Sequence, residues 1–334
     1  MTQYADIALR LPSTTERWAG ERFRAELTSW VSAAVGEPTS LEQVTLRPWA
    51  TVWRVKTPTG RFYAKQNCST QAHEAALVLA LNDLAARHVV PLTAVDTTRG
   101  LFLTPDLGTP LGDSDDIAVW SRVVAAGAHL QLEVARYAER LVGAGLPVLA
   151  PADCPAYVEQ QLDSFAALPP GDPRSLPADR RAAVRAVLPQ VAAWADRVAA
   201  LRLPLTLCHS DLHGHHVFEV GEELRFFGFA DAMVTEPLAA LLVPLRRLAQ
   251  RLRLPPEDPR LARVANAALE VWSEYAPMTE LRAALPAALQ LARLARVESW
   301  VRSTAAMNDE ELAEWGPAAA AWLGSLTDPP PYRP

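Results

Sequence analysis

The chain has few cysteines, and their placement excludes a disulfide framework. Cys68, Cys154 and Cys208 are far apart and odd in number within 334 residues, which is typical of reduced, mostly buried thiols in a cytosolic protein. The chain also lacks the run of about eighteen apolar residues that a membrane-spanning helix needs. Residues 1–10 contain no apolar segment behind basic residues, so no secretory signal is expected. We therefore expect a cytoplasmic protein without a membrane partner.

Positive charge is scarce as well. The sequence has 32 Lys and Arg against 38 Asp and Glu, a net charge of -6. Because such a surface repels backbone phosphates, a nucleic-acid partner is not expected. Half of the residues are hydrophobic, as in ordinary globular proteins. The length is sufficient for two lobes that each bury a core. Nothing in the sequence indicates the oligomeric state.

The first third of the chain changes from a helical to a β pattern. Residues 1–40 form a predicted helical segment, with one helix over 15–35 whose aromatic and leucine side chains recur at helical spacing. Residues 41–108 form a predicted β-rich lobe. Within this lobe the pattern predicts strands on both sides of a turn at 57–60, a helix over 71–87, and short strands near 92–95 and 101–104.

Residues 109–327 are predicted to form a larger, mainly helical lobe. The pattern indicates helices at 117–142, 156–163 and 178–201, a loop at 164–177, short strands at 217–220 and 224–227, and three or four helices within 245–326. Pro189 should kink or divide the helix that contains it. The proline-rich tail, 328–334, is expected to fray. The predicted fold class is therefore α+β, with a small β-rich lobe and a larger helical one.

The most informative segment is residues 207–218. It contains His209, Asp211 and Leu212 in the order H-x-D-L, which is typical of phosphoryl-transfer catalytic loops. In such a loop the aspartate orients and deprotonates the attacking hydroxyl, so Asp211 is the candidate catalytic residue. The alternative is a turn residue that caps local amides. An Asn five residues later would hold magnesium, but His216 stands there.

Further landmarks precede this loop. Lys65 ends an apolar strand, and Glu74 follows in the next predicted helix, where the two can pair beside nucleotide phosphates. They could equally form a surface ion pair of no consequence. Thr104 and Asp106 lie at the junction of the two lobes, where an adenine would meet the backbone. All four residues are candidates for nucleotide binding.

These segments resemble the aminoglycoside phosphotransferase and choline-kinase-like group of small-molecule kinases. The resemblance extends over about 41–245 and is carried by residues 47–55, 62–65, 73–77 and 209–213. It implies a bilobal protein-kinase-like fold, ATP and Mg²⁺ as cofactors, and a small-molecule hydroxyl as acceptor. Contacts to the acceptor would come from the helical lobe, at 156–163 and 271–289, where no motif names a substrate.

Two positions depart from the pattern of this group, and both concern magnesium. The group has roughly F-F-D-W-G-D-A after the catalytic loop, and Gly228 occupies the position of the first, metal-binding aspartate. Asp231 matches the second aspartate, either as a structural carboxylate or as a replacement ligand. If magnesium is bound, His216 and Asp231 would have to hold it, although imidazole is a poor magnesium ligand.

Four histidines surround Asp211, namely His209, His213, His215 and His216. Imidazole suits zinc, iron, nickel or copper, so the last three histidines are candidate ligands of a transition metal. The same histidine cluster would also result if the loop had accumulated substitutions after the protein lost its magnesium ion. Three functions therefore stay open: an ATP-dependent O-phosphotransferase, an inactive pseudokinase-like binding protein, and a non-kinase enzyme that uses a transition metal.

Overall fold

The N-terminal lobe is built around a five-stranded antiparallel sheet. The computed structural model describes residues 13–334, so the expectation about a secretory signal in residues 1–10 lies outside the described residues. The strand order is β1-β2-β3-β5-β4. The strands are β1 Ser40–Arg47, β2 Ala50–Thr57, β3 Gly60–Asn67, β4 Ala94–Asp96 and β5 Leu101–Pro105. The β2–β3 hairpin turns between Thr57 and Gly60, where the sequence predicts it.

Two helices precede the sheet, where the sequence pattern predicts one. They are α1 Thr14–Ala19 and α2 Glu21–Val35. Ser13 and Glu16 form a capping box at the start of α1, which provides partners for amides that the first turn leaves free. Gly20 separates the helices in an extended conformation, with φ −80° and ψ 150°. Glycine loses more conformational entropy in a helix than any other residue, which favours a break there.

The C-terminal lobe is mainly helical, and two of its long predicted helices are divided, whereas the helix predicted over 156–163 extends over Cys154–Ala166. A 3₁₀ turn at Ala135–Tyr137 divides the helix predicted over 117–142, and Pro189 starts a new helix instead of kinking one. The helices from the N-terminal lobe onward are α3 His73–Ala85, α4 Ile117–Val134, α5 Ala138–Gly143, α6 Cys154–Ala166, α7 Ala178–Ala186, α8 Leu188–Ala199, α9 Leu242–Leu252, α10 Pro259–Leu269, α11 Met278–Thr304, α12 Asp309–Trp315 and α13 Pro317–Gly324.

Two small antiparallel strand pairs position the segment that the sequence singles out. The first pair joins β6 Thr206–Cys208 to β9 Met233–Thr235, and the second joins β7 Val217–Val220 to β8 Glu223–Phe226. Residues 209–216 connect β6 to β7, and residues 227–232 connect β8 to β9. Each connection therefore runs from one strand pair to the other, and the two meet where the Phe227 N–H donates to the His216 carbonyl at 3.1 Å.

Two apolar clusters stabilise the two lobes. The smaller one combines Trp18 and Leu27 of the N-terminal helices with Trp53 and Leu103 of the sheet. The larger one fills the helical lobe and includes Leu77 and other residues of α3. Helix α3 therefore packs against the helical lobe, although it is connected to the sheet. The expected α+β fold, with a β-rich and a mainly helical part, is confirmed.

The expectation that the C-terminal tail frays is wrong. The side chain of Tyr332 is 2% exposed. Gln290 and Arg293 donate hydrogen bonds to the carbonyl oxygens of Asp328 and Pro329, at 2.8 and 2.7 Å. The tail is therefore packed on α11. All three cysteines are buried and free, and within residues 13–334 no helix has the length and apolar character to cross a membrane.

Candidate functional site

Lys65 and Glu74 form a buried ion pair between the sheet and α3. The Lys65 Nζ lies 2.6 Å from Glu74 Oε2, and the two side chains are 18% and 0% exposed. Glu74 Oε1 accepts a hydrogen bond from the backbone N–H of Phe229, at 2.7 Å. One carboxylate thus joins β3 to the connection that follows β8. This arrangement differs from the solvated surface pair that the sequence left open.

The loop after β6 is held in shape by its own backbone and by His209. Ser210 has φ +61°, a left-handed conformation that costs a non-glycine residue free energy and is often found at functional sites. His209 Nδ1 accepts from the Asp211 N–H at 3.4 Å, and His209 Nε2 donates to the Phe227 carbonyl at 2.9 Å. Burial lowers the pKa of His209, so this histidine is neutral and serves to anchor the loop.

Arg296 of α11 holds the carboxylate of Asp211. Its Nη1 lies 3.4 Å from Asp211 Oδ1 and donates to the Ser210 carbonyl at 3.1 Å. Burial raises the pKa of Asp211, but the charge of Arg296 and the neighbouring His213 outweigh it, and the pKa lies below its usual range. Asp211 is therefore ionised. Such a carboxylate is suited to orient a hydroxyl by accepting its hydrogen bond.

Asp231 is engaged by donors of the protein. Arg296 Nη1 lies 3.1 Å from its Oδ2, and Gln71 Nε2 and Ser299 Oγ donate to its Oδ1. The carboxylate ties α11 to the connection after β8. Sequence reasoning missed Arg296 and Ser299, because both stand on a helix whose pattern carries no sign of a site.

His216 lies against Gly228, the two positions that depart from the kinase pattern. Gly228 has φ +76°, and an ideal Cβ there would lie 2.7 Å from Cδ2 and 2.8 Å from Nε2 of the His216 ring. His216 Nδ1 donates to the Asp211 carbonyl at 3.0 Å, which leaves the lone pair on Nε2. Burial lowers the pKa of His216 well below its usual value, and neighbouring histidines add to the effect.

Asp211, His213 and His216 form the candidate metal-binding group among the described residues. Their ligand atoms all lie within 4.8 Å of one another. His213 Nε2 is 3.6 Å from Asp211 Oδ2, and the rings of His213 and His216 stack at 3.9 Å. One carboxylate and two imidazoles do not fit magnesium, which prefers oxygen ligands in an octahedron. They fit a softer divalent ion.

The other histidine proposed as a metal ligand lies elsewhere. His215 is 59% exposed, and its Nε2 is 4.0 Å from Asp113 Oδ2. Asp113 belongs to the segment between the lobes, which crosses the loop at Gly214. A Cβ on Gly214 would lie 1.6 Å from the carbonyl oxygen of Gly112, so only glycine permits this crossing.

Thr104 and Asp106 lie at the junction between the lobes. Thr104 is paired with Tyr63 in the sheet. The Asp106 carboxylate accepts from the Gly108 N–H at 2.9 Å and lies 3.2 Å from Arg61 Nε. The side chain of Asp106 therefore shapes the turn at the junction, and its backbone N–H donates to the Arg61 carbonyl at 2.9 Å.

No protein-family model and no curated protein matches the chain. Solved structures of small-molecule kinases do. An ethanolamine kinase from Plasmodium vivax is 13% identical, with a TM-score of 0.62, and the match covers 89% of this chain and 85% of that one. A choline kinase from Streptococcus pneumoniae is 12% identical, with a TM-score of 0.56, and the match covers 91% of this chain and 99% of that one. The GDP complex of aminoglycoside 2'-phosphotransferase-IIIa is 14% identical, with a TM-score of 0.57, and the match covers 92% of this chain and 99% of that one.

At this identity the likeness establishes the fold alone. It is the fold of the group that the sequence resembles, and the expectation of a bilobal kinase-like chain is confirmed.

Proposed function

We propose that this chain is a cytoplasmic, nucleotide-dependent phosphotransferase that acts on a hydroxyl of a small molecule. The observation that carries the proposal is the buried Lys65–Glu74 ion pair, whose second carboxylate oxygen accepts from Phe229. Pairing of this kind places a lysine beside nucleotide phosphates in kinase-like enzymes. The GDP complex of a structural neighbour supports a nucleotide ligand. The three buried, free thiols support a reducing compartment.

Each residue would have a separate role in the transfer. The ammonium of Lys65 would bind the nucleotide phosphates, with Thr104, Asp106 and the junction backbone beside the base. Asp211 would accept a hydrogen bond from the acceptor hydroxyl and direct its oxygen at the terminal phosphorus. A new bond from this oxygen to phosphorus forms as the bond to the bridging oxygen breaks, and the hydroxyl proton passes to Asp211 and then to solvent.

Nucleotide binding is the direct test of this role for Lys65. We expect Lys65→Met to weaken ATP binding at least about tenfold in calorimetry, because a charge that contacts phosphate is lost. Lys56→Met is the matched control, since Lys56 is exposed on the neighbouring strand. Release of ADP in the presence of candidate alcohols measures transfer. No ATP binding with any divalent ion would contradict the proposal.

A second candidate is a pseudokinase-like protein that binds a nucleotide without transferring phosphate. The observation in its favour is that the His216 ring occupies the space beside Gly228, where the kinase pattern has a magnesium-binding carboxylate. ATP binding without ADP release for any acceptor would favour this candidate over the phosphotransferase.

A third candidate is an enzyme that uses a transition metal at Asp211, His213 and His216. The proximity of their ligand atoms favours it, and so does the buried Nδ1 of His213, which has no hydrogen-bond partner within the described residues. We expect zinc or nickel to raise the melting temperature of the wild-type protein and not of His213→Ala. The exposed His215 provides the control, His215→Ala. Equal metal effects on all three proteins would remove this candidate.

A further inference from the structure

A pocket of about 430 Å³ lies in the helical lobe, outside the site described above. It is bordered by α9, α11, α13 and the packed C-terminal tail. Two arginines and a tryptophan line it, namely Arg246 of α9, Arg293 of α11 and Trp322 of α13. Prolines 329–331 form part of its wall. Because proline has a fixed φ, that wall is more rigid than an ordinary tail.

One carboxylate, that of Asp328, also lines this pocket, but it forms no close ion pair with either arginine. Arg293 is only 6% exposed, and its Nη1 has no hydrogen-bond partner within residues 13–334. Its Nη2 donates to the Pro329 carbonyl at 2.7 Å. Among the described residues, no carboxylate oxygen lies within the 4.0 Å of an ion pair from Arg246 or Arg293. A buried arginine whose Nη1 has no partner and no anion at ion-pair distance is costly, which makes this arrangement unusual for a purely structural site.

The surroundings of the two arginines add to this cost. Burial lowers the pKa of Arg246 and lowers that of Arg293 to about 10. The exposed Asp328, at the edge of the same pocket, opposes both shifts through its charge. The guanidinium carbons of Arg246 and Arg296 lie 4.3 and 5.7 Å from the centre of the Trp322 ring. Positive charge is therefore concentrated here in a chain whose net charge is -6.

We propose that this pocket binds the phosphate or carboxylate group of an acidic small molecule. Arg246 and Arg293 would be the cationic partners of the oxyanion, and Trp322 with the proline wall would contact the rest of the ligand. A guanidinium presents paired N–H donors that match both oxyanions. The proposal is independent of the phosphotransferase activity, since Lys65, Glu74 and Asp211 do not line the pocket.

The pocket is nevertheless connected to the catalytic loop. Arg293 and Arg296 stand one turn apart on α11, and Arg296 contacts Asp211. An anion that neutralises the charge near Trp322 would therefore change the electrostatic environment of Arg296, which contacts Asp211. A bound anion is thus placed to influence the orientation of that carboxylate.

The test uses inorganic phosphate, phenyl phosphate and benzoate as probes on the full-length protein. Calorimetry and thermal unfolding are performed at constant ionic strength, with chloride as the reference anion. We expect one bound probe per chain and a melting temperature raised by several degrees. We also expect Arg246→Gln to weaken binding at least about tenfold, as the loss of one charged hydrogen-bond partner implies. The same helix offers a matched control, Arg247→Gln, because Arg247 pairs with Asp113 at 3.2 Å outside the pocket.

Three further comparisons separate this pocket from the nucleotide site and identify the chemistry of its ligand. Phosphate that binds at the nucleotide site would be lost in Lys65→Met, whereas binding at the pocket would survive that change. Comparing the affinities for phosphate and benzoate shows whether the pocket prefers a phosphate or a carboxylate group. Tighter binding of phenyl phosphate than of phosphate would show the contribution of Trp322. Equal behaviour of phosphate and chloride, or equal losses in Arg246→Gln and Arg247→Gln, would overturn the proposal.

Discussion

The ring of His216 occupies the space that any side chain on residue 228 would need. An ideal Cβ on Gly228 would lie 2.7 to 3.0 Å from three atoms of the imidazole, closer than real Cβ contacts allow. The two departures from the kinase pattern are therefore one structural change. With a glycine at 228 the histidine fits, and with a histidine at 216 only glycine fits beside it.

This contact predicts that the two positions are energetically coupled. We expect Gly228→Asp to destabilise the protein by about 1–3 kcal/mol, because the new side chain would overlap a buried ring. Adding His216→Asn should recover most of that loss in urea unfolding, since the smaller amide clears the space. The double variant should also show ATP binding that depends on magnesium, because it has the oxygen ligands that this ion prefers.

The control for this prediction is Gly221→Asp. Gly221 also has a left-handed backbone, with φ +65°, but nothing lies within 4 Å of its ideal Cβ. This variant reports the backbone cost without the overlap. Additive effects of Gly228→Asp and His216→Asn would show that the two residues do not share this space.

Replacing Arg296 should remove the counter-charge of two carboxylates at once. Arg296 lies near Asp211 and Asp231, so Arg296→Leu leaves both without their buried cation. We expect a loss of about 3–5 kcal/mol in the free energy of unfolding. Arg263 is exposed on α10, and Arg263→Leu should change stability by less than about 0.5 kcal/mol. Similar losses in the two variants would show that the Arg296 contacts are dispensable.

His73 should make the protein less stable in mild acid. Burial and the charge of Arg302 lower the pKa of His73 to about 4, whereas an unfolded histidine titrates near about 6.5. The unfolded chain then binds a proton that the folded chain excludes, so stability falls as pH drops from about 6.5 toward 4. At about pH 5 we expect His73 to account for a loss of about 2 kcal/mol relative to neutral pH.

The contribution of His73 is isolated by comparing variants. His73→Gln should flatten the dependence of the unfolding free energy on pH, because glutamine does not titrate and can still accept from Arg302, which lies 3.2 Å from His73 Nε2. The exposed His215 gives the reference, His215→Gln, which should keep the wild-type slope. The comparison also cancels Glu236, whose pKa burial raises to about 8 and whose effect on stability has the opposite sign. Identical slopes in both variants would contradict the prediction.

The packed tail should contribute to stability through Tyr332. Its ring is almost entirely buried, and Tyr332→Ala should cost about 3 kcal/mol in urea unfolding, as for other large aromatic truncations. The neighbouring Arg333 is exposed, with only a 3.8 Å pair to Glu257, so Arg333→Ala should be nearly neutral. If Tyr332→Ala is also neutral, the tail does not pack on α11 in solution.

Features that depend on neighbouring residues could be predicted from the sequence alone. The Thr57–Gly60 turn, the strand that ends in Lys65 and the loop around Asp211 follow from turn residues and local periodicity. The boundary between α7 and α8 near Pro189 also follows from the sequence, because proline cannot continue a helix through its own position. The order of these landmarks was enough to indicate the kinase-like fold.

Contacts between side chains that are distant in the sequence could not be predicted and became visible in the folded structure. Arg296 and Asp231 are 65 residues apart, and an arginine on a long helix looks the same in the sequence whether it faces solvent or a carboxylate. The fit of His216 to Gly228 and the burial of Tyr332 have no local pattern either. Such contacts depend on how helices and strands pack against one another, and local propensity does not specify that packing.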